Sequence, residues 1–445
     1  VIISVSGLRG IAGEDLTDEL IFKYTHAFGN FCNNGKVVVG RDTRPSGEMV
    51  KRSCFKGLLS AGCEVVDLGI LPTPSILFST KELRADGGIS ITASHNPIEW
   101  NGLKFVNSNG LFLNKKEYEK FERMVKETKV FPVCFKATKS IGKPIDRHIK
   151  KILSLEYLDI PALKKRRFKV VIDTCNGAGY EIGPKLLQKL GCEVIRMNCN
   201  PFKPFPRPPE PNLENLMALK RRVIKENADV GFGLDPDGDR LAVCSKKDFP
   251  LGEEYTVVLA ASLILGKKKG CVVTNLSTTK LIDDVATEKG ASVIRTRVGE
   301  ANVVEAILKN KAIIGGEGNG GVILPDVHLT RDASTGMALI LQYILERGES
   351  IENILDKFPK YYIVKKKISI KTDRVLRLGR LKEKFGGAEI NEEDGLKFSF
   401  KDSWVHIRKS GTEPIMRIIA EAKTEKEAQS LIKQVQSYLN LAPRD

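Results

Sequence analysis

The residues best suited to chemistry begin with "GLDPDGDR" at 233–240, which sets Asp235, Asp237 and Asp239 at alternating positions. In an extended turn their carboxylates converge, and without a cation they repel one another. Mg²⁺ suits them, because it takes oxygen ligands and usually binds together with a phosphate. An EF-hand loop would need Gly at its sixth position and Glu at its twelfth, where Arg240 and Lys246 stand. A solvated acidic turn is the competing reading; the turn's place at the end of an apolar strand weighs against it.

A second stretch, "ITASHNPIEWNGLKF" at 91–105, ends an apolar run at Thr92, follows it with Ser94-His95, and returns ten residues later with Lys104. A bare serine hydroxyl is a poor nucleophile without a base. The G-x-S-x-G elbow of a serine hydrolase is missing, since Ser94 lies between Ala93 and His95. A serine that carries a phosphoryl group has other needs: Mg²⁺, and a group to manage protons on the attacking hydroxyl. The aspartates would supply the first and Lys104 the second. A plain polar turn opened by Asn96-Pro97 is the alternative.

Two further motifs handle anions and hydroxyls. "RKSGTEPIMR" at 408–417 gathers Arg408, Lys409, Ser410, Gly411, Thr412 and Arg417. Guanidinium, hydroxyls and backbone N–H groups around Gly411 make a nest for a phosphate dianion. With a single Gly it is no Walker loop, and an ordinary basic turn is the other reading. "GGEGNGG" at 315–321 places Glu317 and Asn319 among glycines, a carboxylate beside a carboxamide that suits adjacent sugar hydroxyls, or equally a glycine-rich hairpin.

These motifs need elements to hold them, and the chain supplies a weak threefold repeat. Strand-like runs open at "VVVGRDTRPS" (37–46), "VVIDTCNGAG" (170–179) and "CVVTNLSTTK" (271–280). A helix follows each, then a second strand introduced by a glycine that fits a helix C-cap. A third strand then runs into "TASHNP", "DPDGDR" or "GEGNGG". This alternation predicts α/β units with largely parallel sheets, in which function gathers at the carboxyl ends of strands. A helix is expected over 16–31, with Thr17 as N-cap and Leu20, Ile21, Tyr24, Ala27, Phe28 and Phe31 on its apolar face. "FPRPPEPN" (205–212) reads as a semi-rigid extended excursion. Beyond about 364 the pattern becomes α+β, closing with a helix over 425–440. The boundaries divide the chain into 1–145, 146–250, 251–363 and 364–445.

The bulk properties agree. The 445 residues exceed one core, and 42% hydrophobic with 28% charged residues fit a globular enzyme. No apolar run reaches membrane length and "VIISVSGLRG" lacks the parts of a signal peptide, so a cytoplasmic location without membrane attachment is expected. Nine cysteines without a CxxC pair argue against zinc and against a disulfide framework. The formal charge of +16 lies in short patches without nucleic-acid signatures, which leaves anionic metabolites as the expected partners.

Taken together, "SGLRG", "GRDTRPSG", "TASHNP", "GLDPDGDR", "GEGNGG" and "RKSGTEP" stand in an order and at distances that resemble the α-D-phosphohexomutase superfamily over nearly the whole chain. The last two motifs are most similar to those of phosphoglucosamine mutases and archaeal-type phosphoglucomutase/phosphomannomutases. The resemblance implies three α/β/α domains of shared topology and a C-terminal α+β domain, like the TATA-box-binding protein, around a central cleft. It implies that Ser94 is the phosphoserine, that Asp235, Asp237 and Asp239 hold one Mg²⁺ with a phosphoserine oxygen, and that Lys104 is the general acid/base. Arg9 and His95 would line the transfer site, and Arg240 would hold substrate or the moving phosphoryl. Glu317 and Asn319 would read sugar hydroxyls with Gly299 also against the substrate, and Arg408, Ser410, Gly411, Thr412 and Arg417 would clamp the other phosphate. Arg41, Asp42 and Arg44 would brace their domain.

The activity implied moves a phosphoryl group between the 1- and 6-positions of a hexose phosphate through a hexose bisphosphate, with glucosamine phosphate as leading substrate. Glucose or mannose phosphates, a non-catalytic phosphosugar-binding protein, and a plain phosphatase are the alternatives; a homodimer is left open. Two residues depart from the pattern: Gly321 where many relatives have His, and Val5 where threonine is usual.

Overall fold

Strands rich in Val and Ile, each followed by a turn and an amphipathic helix, fold into four sheets. The computed structural model describes residues 1–128, 138–140, 144–247, 252–369, 381–409 and 415–440. The first sheet contains β1 (Ile2–Ser4), β2 (Gly7–Ile11), β3 (Lys36–Arg41), β4 (Glu64–Ile70), β5 (Gly87–Ile91), β6 (Trp100–Asn107) and β7 (Thr138–Ser140), in the order 1-2-6-5-3-4-7. The second holds β8 (Lys169–Asp173), β9 (Glu193–Met197), β10 (Val230–Leu234) and β11 (Leu241–Cys244), in the order 11-10-8-9. In the third, β12 (Val272–Asn275), β13 (Val293–Thr296), β14 (Ile314–Glu317) and β15 (Gly321–Ile323) run 13-12-14-15.

All three share one plan. A central strand (β3, β8 or β12) pairs in parallel with the two strands that follow it. The third strand then turns back into an antiparallel partner: β5 into β6, β10 into β11, β14 into β15. This return strand is where the sheets differ from the largely parallel expectation. It sets each chemical motif in the turn of a hairpin and puts Lys104 on β6, opposite Ser90.

Local signals explain the helices. Thr17 caps the helix Asp18–Phe31, its side chain accepting from the Leu20 N–H. Gly62, Gly191 and Gly290, each just past a helix end, take φ of +83°, +85° and +65°, the left-handed conformation a helix stop favours. The helix Glu254–Lys267 is apolar all round and buried from Tyr255 to Leu265, as a helix must be when covered on every side.

The fourth sheet is antiparallel throughout: β16 (Tyr362–Ser369), β17 (Glu389–Asn391), β18 (Leu396–Ser399), β19 (Trp404–Lys409) and β20 (Ile415–Ala422), in the order 16-20-19-18-17. The helix Glu425–Asn440 covers it. Its apolar residues, among them Phe398, Ile407, Ile418 and Val435, form a core of their own. By contrast one apolar core runs without a break through parts of the first three units, from Val38 through Ile172 and Phe232 to Leu339. Among the described residues no helix is long and apolar enough to cross a membrane.

Candidate active site

Strand β5 is buried at every residue, and beyond Ile91 the chain must leave the sheet. Ser94 then adopts φ +50°, a left-handed conformation that costs a non-glycine residue roughly 1–2 kcal/mol. Arg44 holds the loop there. Its guanidinium donates to the carbonyls of Ser94 (2.6 Å), Asn96 (2.8 Å), Trp100 (2.8 Å) and Pro97, and to Asp42 Oδ2 at 3.0 Å. Asp42 also accepts from the Thr92 hydroxyl at 2.6 Å, and Thr92 Oγ1 accepts from the Ser94 N–H at 2.9 Å. Asp42 and Arg44 of "GRDTRPSG" therefore brace the serine loop from beneath, while Arg41 turns to Glu48 at 3.2 Å.

Ser94, 2% exposed, donates its hydroxyl to Asp235 Oδ2 at 3.1 Å across 141 positions of sequence. Asp235, Asp237 and Asp239 are all buried, and each offers an oxygen within 4.8 Å of the others. Every carboxylate commits one oxygen to fixed donors. Asp235 Oδ1 accepts from the N–H groups of Asp239 and Arg240 (3.2 and 3.1 Å). Asp237 Oδ2 accepts from Lys104 Nζ (2.7 Å) and the Thr73 hydroxyl (2.8 Å), and Asp239 Oδ2 from Arg331 Nη2 (2.5 Å). Asp237 Oδ1 and Asp239 Oδ1 are buried with no hydrogen-bond partner among the described residues.

Such oxygens are costly to leave bare, and with Asp235 Oδ2 they fit a hard cation. Crowding of the three carboxylates also bears on the titration of Asp235 and Asp237. Burial, then the charges of Asp237 and Asp239, push Asp235 well above the usual carboxylate range. Burial would also raise Asp237, but Lys104 overrides it and holds that carboxyl below the usual range.

Donors gather beside these acceptors. Arg9, on β2, reaches Asn96 Oδ1 at 3.3 Å with Nη1, while its Nε has no partner among the described residues. Burial, working against the pull of Asp237, lowers Arg9 to about 10, so it stays charged at neutral pH. His95 is pushed well below its ordinary value by burial and then by Arg240 and Arg9, so its ring is neutral. Its Nδ1 and the Arg240 Nε likewise lack hydrogen bonds. Arg240 stands 3.5 Å from Glu210 and 3.7 Å from Asp239.

All four side chains, Arg9, His95, Lys104 and Arg240, open on a cleft of about 480 Å³. Its far wall carries Arg408 and Arg417, which face each other in register on β19 and β20; Arg408 Nε donates to Asp394 at 2.8 Å. Ser410, Gly411 and Thr412 of the expected phosphate clamp lie outside the described residues. Val5 borders the same cleft.

Between these cationic ends lies the third unit. Glu317, at the end of β14, accepts from Asn275 Nδ2 (2.9 Å), the Gly299 N–H (3.0 Å), Asn319 Nδ2 (3.2 Å) and Arg331 Nη1 (3.0 Å). Those four donors fill a carboxylate's capacity, so a sugar hydroxyl would have to displace one, and Gly299 and Asn319 are the half-buried donors on the cleft. Arg331, Glu300, Asn275 and Thr73 were missed by the sequence reading. Arg331 carried no signal beyond a charge ahead of the Asp332 N-cap.

Four domains around a cleft with a serine on a carboxylate cluster is the architecture of phosphohexomutases. The chain belongs to the phosphoglucomutase/phosphomannomutase family, whose α/β/α domains I, II and III match residues 2–130, 146–248 and 252–362 and whose C-terminal domain matches 363–437. A phosphoglucomutase/phosphomannomutase of Thermococcus kodakarensis is 42% identical, covering 96% of both chains. A probable phosphoglucosamine mutase of Pyrococcus abyssi is 36% identical, covering 98% of this chain and 96% of its own. Among solved structures, a putative phosphomannomutase from Thermus thermophilus matches with a TM-score of 0.85 at 24% identity over 99% of both chains.

Proposed function

We propose that this phosphohexomutase exchanges a phosphoryl group between the 1- and 6-positions of a hexose phosphate through Ser94. The observation that carries the reading is the contact of the Ser94 hydroxyl with Asp235 in the buried aspartate cluster. Phospho-Ser94 gives its phosphoryl to the free hydroxyl of the sugar phosphate: the serine O–P bond breaks, a sugar O–P bond forms, and a bisphosphate results. After the sugar turns over, its other phosphate returns to Ser94. Lys104 passes the proton between the two oxygens, held in place by Asp237. Arg9 and Arg240, with uncommitted N–H groups, face the charge that develops on the moving phosphoryl, and fixed donors of this kind stabilise it most where water is scarce. Asp235, Asp237 and Asp239 would hold Mg²⁺, which neutralises phosphoryl charge when bound. Arg408 and Arg417 hold the phosphate at the other end.

An amino sugar would meet carboxylates in this cleft. Glu253, Glu254, Glu300, Glu305 and Glu317 line it; Lys365 pairs with the first two and Arg331 with Glu300 and Glu317, and burial raises Glu254 to about 7, so among the described residues Glu305 is the carboxylate an ammonium group would face. Glucosamine phosphate is therefore the first choice. The 42% identity to a phosphoglucomutase/phosphomannomutase keeps glucose and mannose phosphates as the second. Turnover of glucosamine, glucose and mannose 1-phosphates, each primed with its bisphosphate, decides between them. A glucosamine rate about tenfold or more above the others supports the first, and the reverse order supports the second.

A further inference from the structure

Arg331 bridges the metal loop and the sugar loop through Asp239 and Glu317, yet it belongs to neither motif. Its guanidinium is shared among three carboxylates: Nη2 to Asp239 at 2.5 Å, Nη1 to Glu317 at 3.0 Å and Nε to Glu300 at 3.0 Å. Glu300 anchors it a second time by accepting from the Arg331 backbone N–H at 3.0 Å, and also accepts from the Thr330 hydroxyl at 2.5 Å. A planar fork can serve three carboxylates in fixed directions, whereas an ammonium is a single point of charge.

The stem of Arg331 reaches this position through space that a side chain at 321 would occupy. A Cβ on Gly321 would stand 2.1 Å from Arg331 Cδ and 2.6 Å from its Cγ. These atoms lie midway along the side chain, so relieving the clash would move the whole guanidinium. Residue 321 is the first of β15, paired with Glu317 across the hairpin, so the backbone there has little room to yield.

We infer that Arg331 is a positioning residue that fixes Asp239 and Glu317 relative to one another, and that Gly321 keeps open the space its stem requires. The inference rests on the metal and sugar roles proposed above for those two carboxylates. By holding Asp239 Oδ2, Arg331 turns the bare Oδ1 toward the aspartate cluster; by holding Glu317 Oε2, it sets the carboxylate that faces the sugar. The two loops come from different domains; the Leu241 N–H to Gly320 carbonyl bond (2.9 Å) and the Ala333 N–H to Gly238 carbonyl bond (3.2 Å) join their backbones, and Arg331 is the side-chain link that reaches the Asp239 and Glu317 carboxylates themselves.

The test is Mn²⁺ titration of the purified full-length chain, paired with kcat and KM for the best sugar phosphate. Arg331→Met is expected to weaken Mn²⁺ binding about tenfold or more, as loss of a ligand's supporting partner does, and to raise KM. Arg331→Lys should recover part of both losses. Gly321→Ala, which removes no charge, should reproduce the Arg331→Met phenotype, and the double variant Gly321→Ala/Arg331→Met should be no worse than Arg331→Met alone. Circular dichroism reports folding, and if Arg331→Met fails to fold, Gly321→Ala and Arg331→Lys decide. Unchanged Mn²⁺ affinity in folded Gly321→Ala, or additive losses in the double variant, overturns the inference. Failure of the unaltered chain to bind Mn²⁺ overturns the metal reading instead.

Discussion

Ser94 combines a strained backbone with an enclosed side chain, and its hydroxyl donates to Asp235. A serine kept only for structure would not require a left-handed turn to reach a carboxylate in another domain. Replacing it with alanine removes the oxygen that carries the phosphoryl but leaves the cationic ends of the cleft intact. Ser94→Ala should therefore lower mutase turnover to background while sugar-phosphate binding, read by calorimetry, stays within about threefold. Surviving turnover in that variant would put the phosphoryl carrier elsewhere. Ser94, Lys104 and the aspartates could be found in sequence because alternating carboxylates and a Ser-His pair at the end of an apolar strand have few structural uses. Arg331 could not, because its importance lies in three distant partners and in the missing Cβ of Gly321.

The repeated element is a hairpin whose turn carries the chemistry. Each of the three chemical turns follows a strand flanked on both sides in its sheet, so the turn starts from a rigid base. The serine turn is held from below by a buried ion pair, Arg44 with Asp42, both at most 1% exposed. Arg44→Met would leave Asp42 without its cation and the Ser94, Asn96, Pro97 and Trp100 carbonyls without their donor. Breaking one side of a buried pair typically costs about 3–5 kcal/mol. Urea denaturation should show a loss of that order, and kcat should fall as Ser94 loses its set position. Retained stability and full kcat would mean that the loop holds itself. The helix ends and the parallel trios were legible from glycines and apolar runs. The antiparallel return strands were not, since β6, β11 and β15 carry the same apolar residues that a parallel strand would.

At the scale of the whole molecule, two kinds of joint hold the domains. Apolar packing is continuous through the first three, whereas the fourth is docked on the third largely through buried polar groups. Glu421 accepts from Trp404 Nε1 (2.6 Å), the Lys280 N–H (2.7 Å) and the Thr279 hydroxyl. His406 meets the Ser277 hydroxyl at 2.8 Å, and Lys397 Nζ donates to the Leu276 carbonyl at 2.6 Å. Burial, and next the charge of Arg295, push Lys397 down to about 7 from its ordinary 10.5. Between those two values the unfolded chain binds more protons than the folded one, so this group makes stability rise with pH across the window. The melting temperature of the native chain should gain on that of Lys397→Met between pH 7 and pH 10. A constant difference across that range would show that Lys397 titrates normally in the folded protein.

The sequence by itself determined the α/β repeat, the helix caps and stops, and the candidate chemistry of Ser94, Lys104 and the three aspartates, because these depend on local spacing and on residue types with few other uses. Tertiary structure decided which carboxylate oxygens are committed and which are bare. It also decided that Glu317 is already saturated by four donors, and that an arginine outside every motif joins two of them. Those properties depend on which groups meet across domain boundaries and on how much room a glycine leaves. Separations of a hundred residues or more in the chain close to about 3 Å only when the sheets are packed together.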